Sequence, residues 1–413
     1  MKLLLVLDNL SSNCGANVGI AFELMKKWNE AGHSIYCLTR EDKYHEIDTM
    51  KAEALDEVWS FSVCEDDIIN DFTKDIKWIN ASPLTKIKLL ATHPVVLSKM
   101  IDKKYFETSE IKREYVAQIK KICENNKFDA IIAVTEPYYI ADALAQVETG
   151  CDKYTIMMDP YTNSPSTTSK NRNKKLKKEL RVFEANKKVF TLDFVGNDMD
   201  YLPAECREKI VKFYIPKIQI RKDSEENVCH TKAKNEEITF VYVGLLYEDI
   251  RNPELMFKIF DKLPDNYKLH FYGGGADRIV NEYKEILKDK LICHGWVSAE
   301  EAKKATNEAD ILINLNNNIS NMLPSKIVDY IDSGKPILNI CQINNCPSLE
   351  YTKKYPMKVD ILPGEDVTEA RNKVVEFTNN YAGKVTQHSA IEEIYHEYTS
   401  EYAAKFILEN IEK

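Results

Sequence analysis

The chain has 413 residues, of which 44% are hydrophobic and 29% are charged, and its formal net charge is -9. This length predicts two or three domains of about 100–200 residues each, with the composition of a soluble globular protein. The acidic balance argues against a general nucleic-acid binder, which would carry an excess of Lys and Arg.

The ten cysteines are scattered, with no C-x-x-C pair and no Cys/His cluster at zinc spacing. Cys341 and Cys346 are closest in sequence, but no other ligand type lies near them, so we predict no metal site there. Scattered thiols fit a reducing compartment, and a cytoplasmic protein is therefore expected.

The N-terminal segment "MKLLLVLDNL" is apolar but short, and Asp8 and Asn9 end it without a small-residue cleavage site. It predicts a buried first strand, not a signal peptide. No apolar run approaches the roughly 20 residues that span a bilayer, so membrane contact is expected to be peripheral.

The first half repeats one pattern of apolar strands and amphipathic helices. After "KLLLVLD" come a loop with Gly15 and Gly19, a helix ended by Gly32, and the strand "SIYCL". Further strands are predicted at "KFDAIIAVTEP", "KYTIMMDP", "KKVFTLD" and "KIVKFYIP". The polar run Lys217 to Glu237 predicts a linker or a surface loop.

The second half begins a new series of strands at "ITFVYVG", "KLHFYGGG", "KLICHGW", "ADILINL" and "KPILNIC", alternating with helices. We therefore predict two doubly wound α/β domains, residues 1–216 and 217–387. Residues 388–413 are expected to form one amphipathic helix or two. Two such domains would leave a cleft between them, with ligands at the carboxyl ends of the strands.

The segment "LPSKIVDYIDSGKPIL" (323–338) predicts a helix that begins near Ser325 and ends before Gly334. The backbone N–H groups of Lys326 and Ile327, with the charge of Lys326, would suit a phosphate group. Asp329, one turn on, would suit a ribose diol. A capped core helix with a solvated lysine explains the same residues.

Most of residues 238–340 resembles the donor-binding domain of retaining GT-B glycosyltransferases of family 4, which act on bacterial envelope and cell-surface polysaccharides. The resemblance rests on "FVYVGLLYEDIRNPELMFKIFDKL", "LHFYGGG", "CHGWVSAEEAKKATNEADILINL" and the segment 323–338, in the family's order. It implies two Rossmann-like domains facing across a cleft. The first would bind the acceptor and the second the nucleotide-sugar donor, with residues 388–413 crossing back to the first.

The resemblance also implies roles for residues of the second half. Asp329 and Asn321 take the places of the family's two glutamates, on the nucleotide ribose and on the donor sugar. Arg251 takes the place of a diphosphate-binding lysine. The arginine expected beside Gly244 is replaced by Leu245, so Lys326 would supply the second charge.

The run "YGGGADR" (272–278) lacks the last glycine of a dinucleotide fingerprint, since Arg278 stands there. We interpret it as a strand-to-helix turn, with Gly274 near the donor.

In the first half, the resemblance implies that Gly15 and Ala16 belong to a loop closing over the diphosphate, although a plain connecting loop explains them equally. In "VTEP", Thr135 replaces a family histidine, and Glu136 matches a cleft residue.

Two further segments concern metals and membranes. The D-x-D match Asp198 to Asp200 has no other ligand type nearby, and we interpret it as a turn or helix start, so no metal ion is predicted. The basic run Ser169 to Phe190 and the mixed run Trp78 to Met100 favour either contact with an anionic membrane or a solvated helix face.

Together these observations predict a retaining glycosyltransferase of the cytoplasm or the inner face of the membrane. It would transfer a sugar from a UDP- or GDP-sugar to a glycan, lipid-linked or protein-linked acceptor, without a bound cofactor and without a nucleic-acid partner. Two alternatives stay open: a nucleotide-sugar 2-epimerase of the same fold, and a catalytically silent binding partner.

Overall fold

A computed structural model describes residues 1–12, 14–41, 46–63, 88, 91–101, 110–135, 137–220 and 236–412, with the backbone alone for 98–101. Glu136, most of the 217–237 linker and most of the Trp78 to Met100 run lie outside the described residues. The chain divides into two compact units, one made of Met1–Phe213 with Ala403–Lys413 and the other of Tyr214–Tyr402.

The first unit is built on a seven-stranded parallel sheet. Its strands are β1 Lys2–Val6, β2 Ser34–Arg40, β3 Glu57–Phe61, β4 Ala130–Val134, β5 Asp152–Met157, β6 Lys188–Leu192 and β7 Ile210–Phe213. Their order in the sheet is β3-β2-β1-β4-β5-β6-β7. The predicted first strand is confirmed, and its apolar side chains are fully buried. A continuous apolar strand is what a sheet covered on both faces requires.

Helices cover that sheet between the strands. They are α1 Ala16–Glu30, α2 Thr49–Glu53, α3 Pro94–Ile101, α4 Glu110–Asn125, α5 Tyr139–Ala145, α6 Ser169–Ala185, α7 Asp193–Gly196 and α8 Ala204–Arg207.

The second unit is built on a six-stranded parallel sheet. Its strands are β8 Ile238–Leu245, β9 Tyr267–Gly274, β10 Leu291–Gly295, β11 Ile311–Leu315, β12 Ile337–Ile340 and β13 Lys358–Ile361. Their order in the sheet is β10-β9-β8-β11-β12-β13. Aromatic side chains form much of its core; Phe240, for example, packs edge-on against Phe260.

The helices of this second series are α9 Glu254–Lys262, α10 Asp277–Leu287, α11 Ala299–Glu308, α12 Lys326–Asp332, α13 Pro347–Tyr351, α14 Val367–Tyr381, α15 His388–Ile394 and α16 Ser400–Glu412. None of the helices in the described ranges is long and apolar enough to cross a membrane.

The C-terminal part of α16 belongs to the first unit. The Trp28 indole N–H donates to the carbonyl of Ala404 at 2.8 Å, and the Tyr154 hydroxyl donates to the carbonyl of Ile411 at 3.1 Å. Buried aromatic donors thus find acceptors on a segment far away in sequence.

Both sheets reverse their strand order once, between β1 and β4 and between β8 and β11. At such a reversal the chain segments leaving the two neighbouring strands diverge, which opens a crevice at their carboxyl ends. The segments that follow β8, β11, β1 and β4 are therefore where functional side chains are expected in each unit.

Candidate functional site

In the second unit, the segments that leave β8 and β11 are joined by hydrogen bonds. The backbone N–H of Asn318 donates to the carbonyl of Ile250 at 2.8 Å, and the Asn318 amide donates to the carbonyl of Asp249 at 2.6 Å. These contacts bring the loop that contains Asn321 next to the turn that contains Arg251, two of the residues singled out from the sequence.

Arg251 is held in one orientation. Its backbone N–H and carbonyl both pair with Tyr247, at 3.1 and 3.2 Å. Its Nε donates to the Asn317 side-chain oxygen at 2.9 Å, and Nη1 donates to the Leu245 carbonyl at 3.3 Å. Asn317 is in turn anchored, because its amide donates to the carbonyl of Met322 at 3.0 Å. The result is a half-buried cation with a fixed guanidinium plane at the end of β8.

Asn317 and Tyr330 are the residues of this cluster that the sequence reasoning missed. The run "NLNNNISN" (314–321) was a signal for Asn317, since polar amides directly after a buried strand need partners. Tyr330 is fully buried, and its hydroxyl accepts the N–H of Val243 in β8 at 3.3 Å. Burial raises the pKa of Tyr330, so the phenol stays neutral. This contact places α12 against the end of β8, beside Gly244.

Asp329 of α12 carries two ion pairs. Lys326 Nζ lies 3.2 Å from Oδ2, and Lys217 Nζ lies 3.5 Å from Oδ1. The predicted ribose-binding carboxylate and the predicted phosphate-binding lysine are thus paired with each other. Lys217, far from Asp329 along the chain, left no signal in the local sequence.

The expected capping at the start of α12 is wrong. Among the described residues, the Ser325 side chain makes no capping hydrogen bond, because Ser325 itself has helical dihedral angles of -58° and -19°. The N–H of Ile327 donates to the carbonyl of Pro324 at 3.0 Å, so it is not open to a phosphate. The phosphate contacts of Lys326, through its backbone N–H and its half-exposed side chain, stay predictions.

The glycines at the end of β9 allow a close approach of two strands. Gly273 has a φ of +142°, and a Cβ there would lie 2.0 Å from the carbonyl oxygen of Gly244. A Cβ at Gly274 would lie 3.0 Å from the indole nitrogen of Trp296. The predicted strand-to-helix turn is confirmed, since β9 ends at Gly274 and α10 begins at Asp277. The glycines after Tyr272 are thus required by the close backbone packing next to Gly244.

Asn321 lies in the loop between β11 and α12, and its side chain is buried. The bond from Asn317 to the carbonyl of Met322 fixes the backbone next to it. Its predicted contact with the donor sugar stays a prediction.

In the first unit, Gly15 and Ala16 lie exposed at the start of α1. No atom lies within 4 Å of a Cβ built at Gly15, so no described neighbour requires a glycine there. The Asn17 amide donates to Asp159 at 2.5 Å, and burial raises the pKa of Asp159 against the effect of that bond. Lys51 Nζ lies 3.0 Å from the sulfur of Cys14, which places a positive charge on the same loop.

Thr135, at the end of β4, is buried, and its hydroxyl donates to the carbonyl of Ile156 at 3.3 Å. The hydroxyl therefore bonds to the neighbouring strand β5, as a threonine in a sheet core does. Glu136, the weaker cleft candidate, lies outside the described residues.

The basic run 169–190 forms α6 and the start of β6, and several of its cations are used within the unit. Arg172 donates to Asn163 at 2.6 Å, Lys175 to Thr167 at 2.8 Å and Arg181 Nε to Asp142 at 2.8 Å. Lys170, Lys174 and Lys177 are exposed. The charge directed to solvent is thus smaller than the composition of the segment suggests.

Across the described ranges, no group of three or more His, Cys, Asp or Glu side chains is arranged to bind a metal ion. Asp198, from the D-x-D match, accepts a hydrogen bond from Asn163 at 2.9 Å, in a turn after α7.

No protein-family model and no curated protein sequence matches the chain. Solved structures do match over almost the whole length. Anabaena HepE in complex with UDP and glucose is 12% identical, with a TM-score of 0.59, over 100% of this chain and 99% of that one. A point mutant of S. aureus TarM, solved with Fondaparinux, alpha-GlcNAc-glycerol and UDP, is 13% identical, with a TM-score of 0.61 and coverage of 99% for both chains.

A third match is the lipopolysaccharide outer core galactosyltransferase WaaB in its apo form. It is 12% identical, with a TM-score of 0.61, over 98% of this chain and 97% of that one. The chain has the GT-B fold. The predicted fold class is therefore confirmed, and Arg251, Asn317 and α12 lie at the strand reversal of the second GT-B sheet.

Proposed function

We propose that this chain is a retaining glycosyltransferase that moves a sugar from a UDP-sugar to an acceptor hydroxyl on a glycan. In this proposal the second unit, Tyr214–Tyr402, binds the donor, and the first unit binds the acceptor. The GT-B fold supports the proposal, as does the UDP bound in the HepE and TarM structures.

The observation on which the proposal depends is the fixed guanidinium of Arg251, bonded to Asn317 and to the Leu245 carbonyl. When the bond to the sugar breaks, negative charge develops on the leaving diphosphate. A cation that is already oriented stabilises that charge without a reorganisation cost at the moment of reaction. The bonds of Arg251 that set this orientation are all made within the chain.

Lys326 and Asp329 have complementary roles in this proposal. Their ion pair places both charged groups together at the start of α12. Lys326 would then turn to the diphosphate, and Asp329 would accept hydrogen bonds from the ribose hydroxyls. Lys217, the second cation on Asp329, would hold that carboxylate in its orientation.

Retention is proposed because transfer on the same face of the sugar needs no protein base. The leaving phosphate oxygen accepts the proton of the attacking hydroxyl. The Thr135 hydroxyl donates to the carbonyl of Ile156, and a threonine would not act as a base at neutral pH. Both facts agree with a reaction that needs no protein base.

The test is the melting temperature of the chain with UDP-, GDP-, ADP- and CMP-sugars. We expect UDP-sugars to raise it, and Arg251→Ala to abolish that rise, since a ligand stabilises only the state that binds it. Arg278→Ala is the matched control, because Arg278 is an exposed arginine of the same unit, paired with Glu248. No rise with any nucleotide sugar would contradict the proposal.

Incubation with UDP-sugars and no acceptor tests the reaction type, since epimerised donor in place of hydrolysed donor would identify a 2-epimerase. With an acceptor, the anomeric configuration of the product, read by NMR, tests retention.

The acceptor is proposed to belong to cell-surface polysaccharide and to be presented at an anionic membrane face. The lysines of α6 that reach solvent, Lys170, Lys174 and Lys177, support this contact. Cosedimentation with vesicles of anionic and of neutral lipid tests it. We expect binding to anionic vesicles alone, reduced when all three lysines become glutamine. Equal binding of that variant and the wild type would contradict it.

A further inference from the structure

Two cysteines of the second unit lie within hydrogen-bond distance of each other. Cys341 directly follows β12 and Cys346 directly precedes α13, and their sulfur atoms are 3.1 Å apart. Both side chains are buried, while Asn344 and Asn345 in the connecting loop reach solvent. Both are free thiols, and a movement of about 1 Å would bring the sulfurs to the roughly 2.05 Å of a disulfide bond.

The surroundings of the two sulfurs favour exchange chemistry. The contact between the two thiols lowers the pKa of Cys346 against the effect of burial, and it raises the pKa of Cys341 in the same direction as burial. A thiolate is the nucleophile in disulfide exchange, so a sulfur contact that favours ionisation of one thiol of the pair favours exchange between them.

We propose that Cys341 and Cys346 form a redox modification site that closes to an intramolecular disulfide when the chain meets a small-molecule disulfide. The Cys346 thiolate attacks one sulfur of that molecule, forms a mixed disulfide and releases one small thiolate. The Cys341 thiol then gives up its proton and attacks the Cys346 sulfur, which releases the second small thiolate. Two protein thiols are oxidised, the small disulfide is reduced to two thiols, and the two protons end on those thiols.

This site is connected to the candidate donor site through Gln342. The Gln342 amide donates to the carbonyl of Asn316 at 3.0 Å and to that of Asn252 at 3.3 Å. Asn316 adjoins Asn317, Asn252 adjoins Arg251, and the Asn316 amide lies 3.8 Å from the Cys341 sulfur. A disulfide would shorten the loop that contains Gln342 and restrict the segments on which the Arg251–Asn317 bond depends.

The test incubates the folded chain in glutathione buffers of increasing oxidised fraction, then alkylates it under unfolding conditions and maps peptides by mass spectrometry. We expect one linked peptide, Cys341 to Cys346, lighter by about 2 Da and restored to two alkylated thiols by dithiothreitol. The Cys346→Ser variant must not give this linked peptide. Cys206→Ser, which changes a buried cysteine of the first unit, must keep it.

Because both thiols are buried, the incubation is repeated in urea below the unfolding transition, where local opening exposes them. If both cysteines remain alkylatable, or are glutathionylated separately, under the most oxidising buffer with and without urea, the proposal is overturned.

The connection to the donor site rests on the proposed function and has its own readout. We expect the oxidised chain to bind UDP with a Kd that differs by roughly twofold to threefold, because closing the disulfide shifts the loop from which Gln342 bonds the carbonyls of Asn316 and Asn252. Equal Kd values in the two redox states would overturn the connection alone. If neither state binds UDP, the proposed function fails while the peptide map still decides whether the disulfide forms.

Discussion

The guanidinium Nε of Arg251 donates to the side-chain oxygen of Asn317 at 2.9 Å, and this bond joins the segment after β8 to the segment after β11. An arginine side chain has several rotatable bonds, and ordering them costs free energy. Here the side chain of Arg251 is ordered during folding, because Asn317, which accepts its hydrogen bond, is itself bonded to the carbonyl of Met322. Orientation of the cation is therefore a property of the second unit by itself.

The first prediction concerns that orientation. Asn317→Ala should weaken UDP binding by about tenfold although Asn317 is not assigned a contact with the ligand, since a charge-assisted hydrogen bond contributes about 1.5–3 kcal/mol. In Arg251→Ala the further change Asn317→Ala should have little effect, because there is no guanidinium left to orient. Isothermal titration of the four proteins forms a double-mutant cycle. Additive losses would show that Asn317 does not act through Arg251.

The second prediction concerns Lys217 and Asp329, whose Nζ and Oδ1 atoms are 3.5 Å apart. Both side chains are partly exposed, so Lys217→Met should change the melting temperature little, as expected for a solvated ion pair. It should nevertheless weaken UDP binding several-fold, because Asp329 then keeps Lys326 as its cation partner. The measurement is the Kd for UDP at low and at high salt. A Kd equal to that of the wild type would mean that Lys217 has no part in the site.

The third prediction concerns the approach of β9 to β8. Gly273→Ala should destabilise the second unit by about 3 kcal/mol or more, because the new Cβ would lie 2.0 Å from the Gly244 carbonyl oxygen at a φ of +142°. Gly19→Ala is the control, since no atom lies within 4 Å of a Cβ at that helical position. It should be neutral or slightly stabilising. Calorimetric melting distinguishes the two, and equal melting temperatures would contradict the packing explanation.

The sequence predicts the sheets well because parallel strands buried on both faces leave continuous apolar runs, as at Leu3 to Val6 and Ile311 to Leu315. It also leads to Arg251 and Asp329, since both lie directly within runs that resemble a known family. It does not lead to Lys217, because its partner Asp329 comes from a distant part of the chain. Nor does it show that the Ile327 N–H is bonded to Pro324, since local pattern does not distinguish a turn from an open helix end.

The fourth prediction concerns a buried carboxylate in the first unit. Asp142 is 1% exposed and bonds Lys112 Nζ at 2.5 Å as well as Arg181. Asp142→Ala should cost about 3–5 kcal/mol of unfolding free energy, because it leaves cations without their buried counter-charge. Asp152→Ala removes the exposed pair with Lys187 and should change the unfolding free energy little. Similar losses for both variants would mean that burial of Asp142 is not decisive.

The last prediction concerns the pH dependence of the second unit. His270 Nδ1 lies 3.0 Å from His294 Nε2, and the ring of Tyr272 stacks on His294 with centroids 4.0 Å apart. Only one hydrogen fits between the two nitrogens, so the pair favours neutral rings. Burial lowers the pKa of both histidines, and the neighbouring His294 lowers that of His270 further.

These pKa shifts set the direction in which pH changes the free energy of unfolding. In the unfolded chain each histidine takes up a proton near pH 6.5, and in the folded chain it does so at a lower pH. Below about pH 6.5 the unfolded state therefore binds more protons, and the stabilisation is lost as the pH falls through the folded pKa values. From about pH 7.5 to 5.5 the melting temperature of the wild type should fall by more than that of His294→Gln. Glutamine keeps a hydrogen-bonding group at this position but does not titrate. Equal losses would mean that the pair does not couple folding to pH.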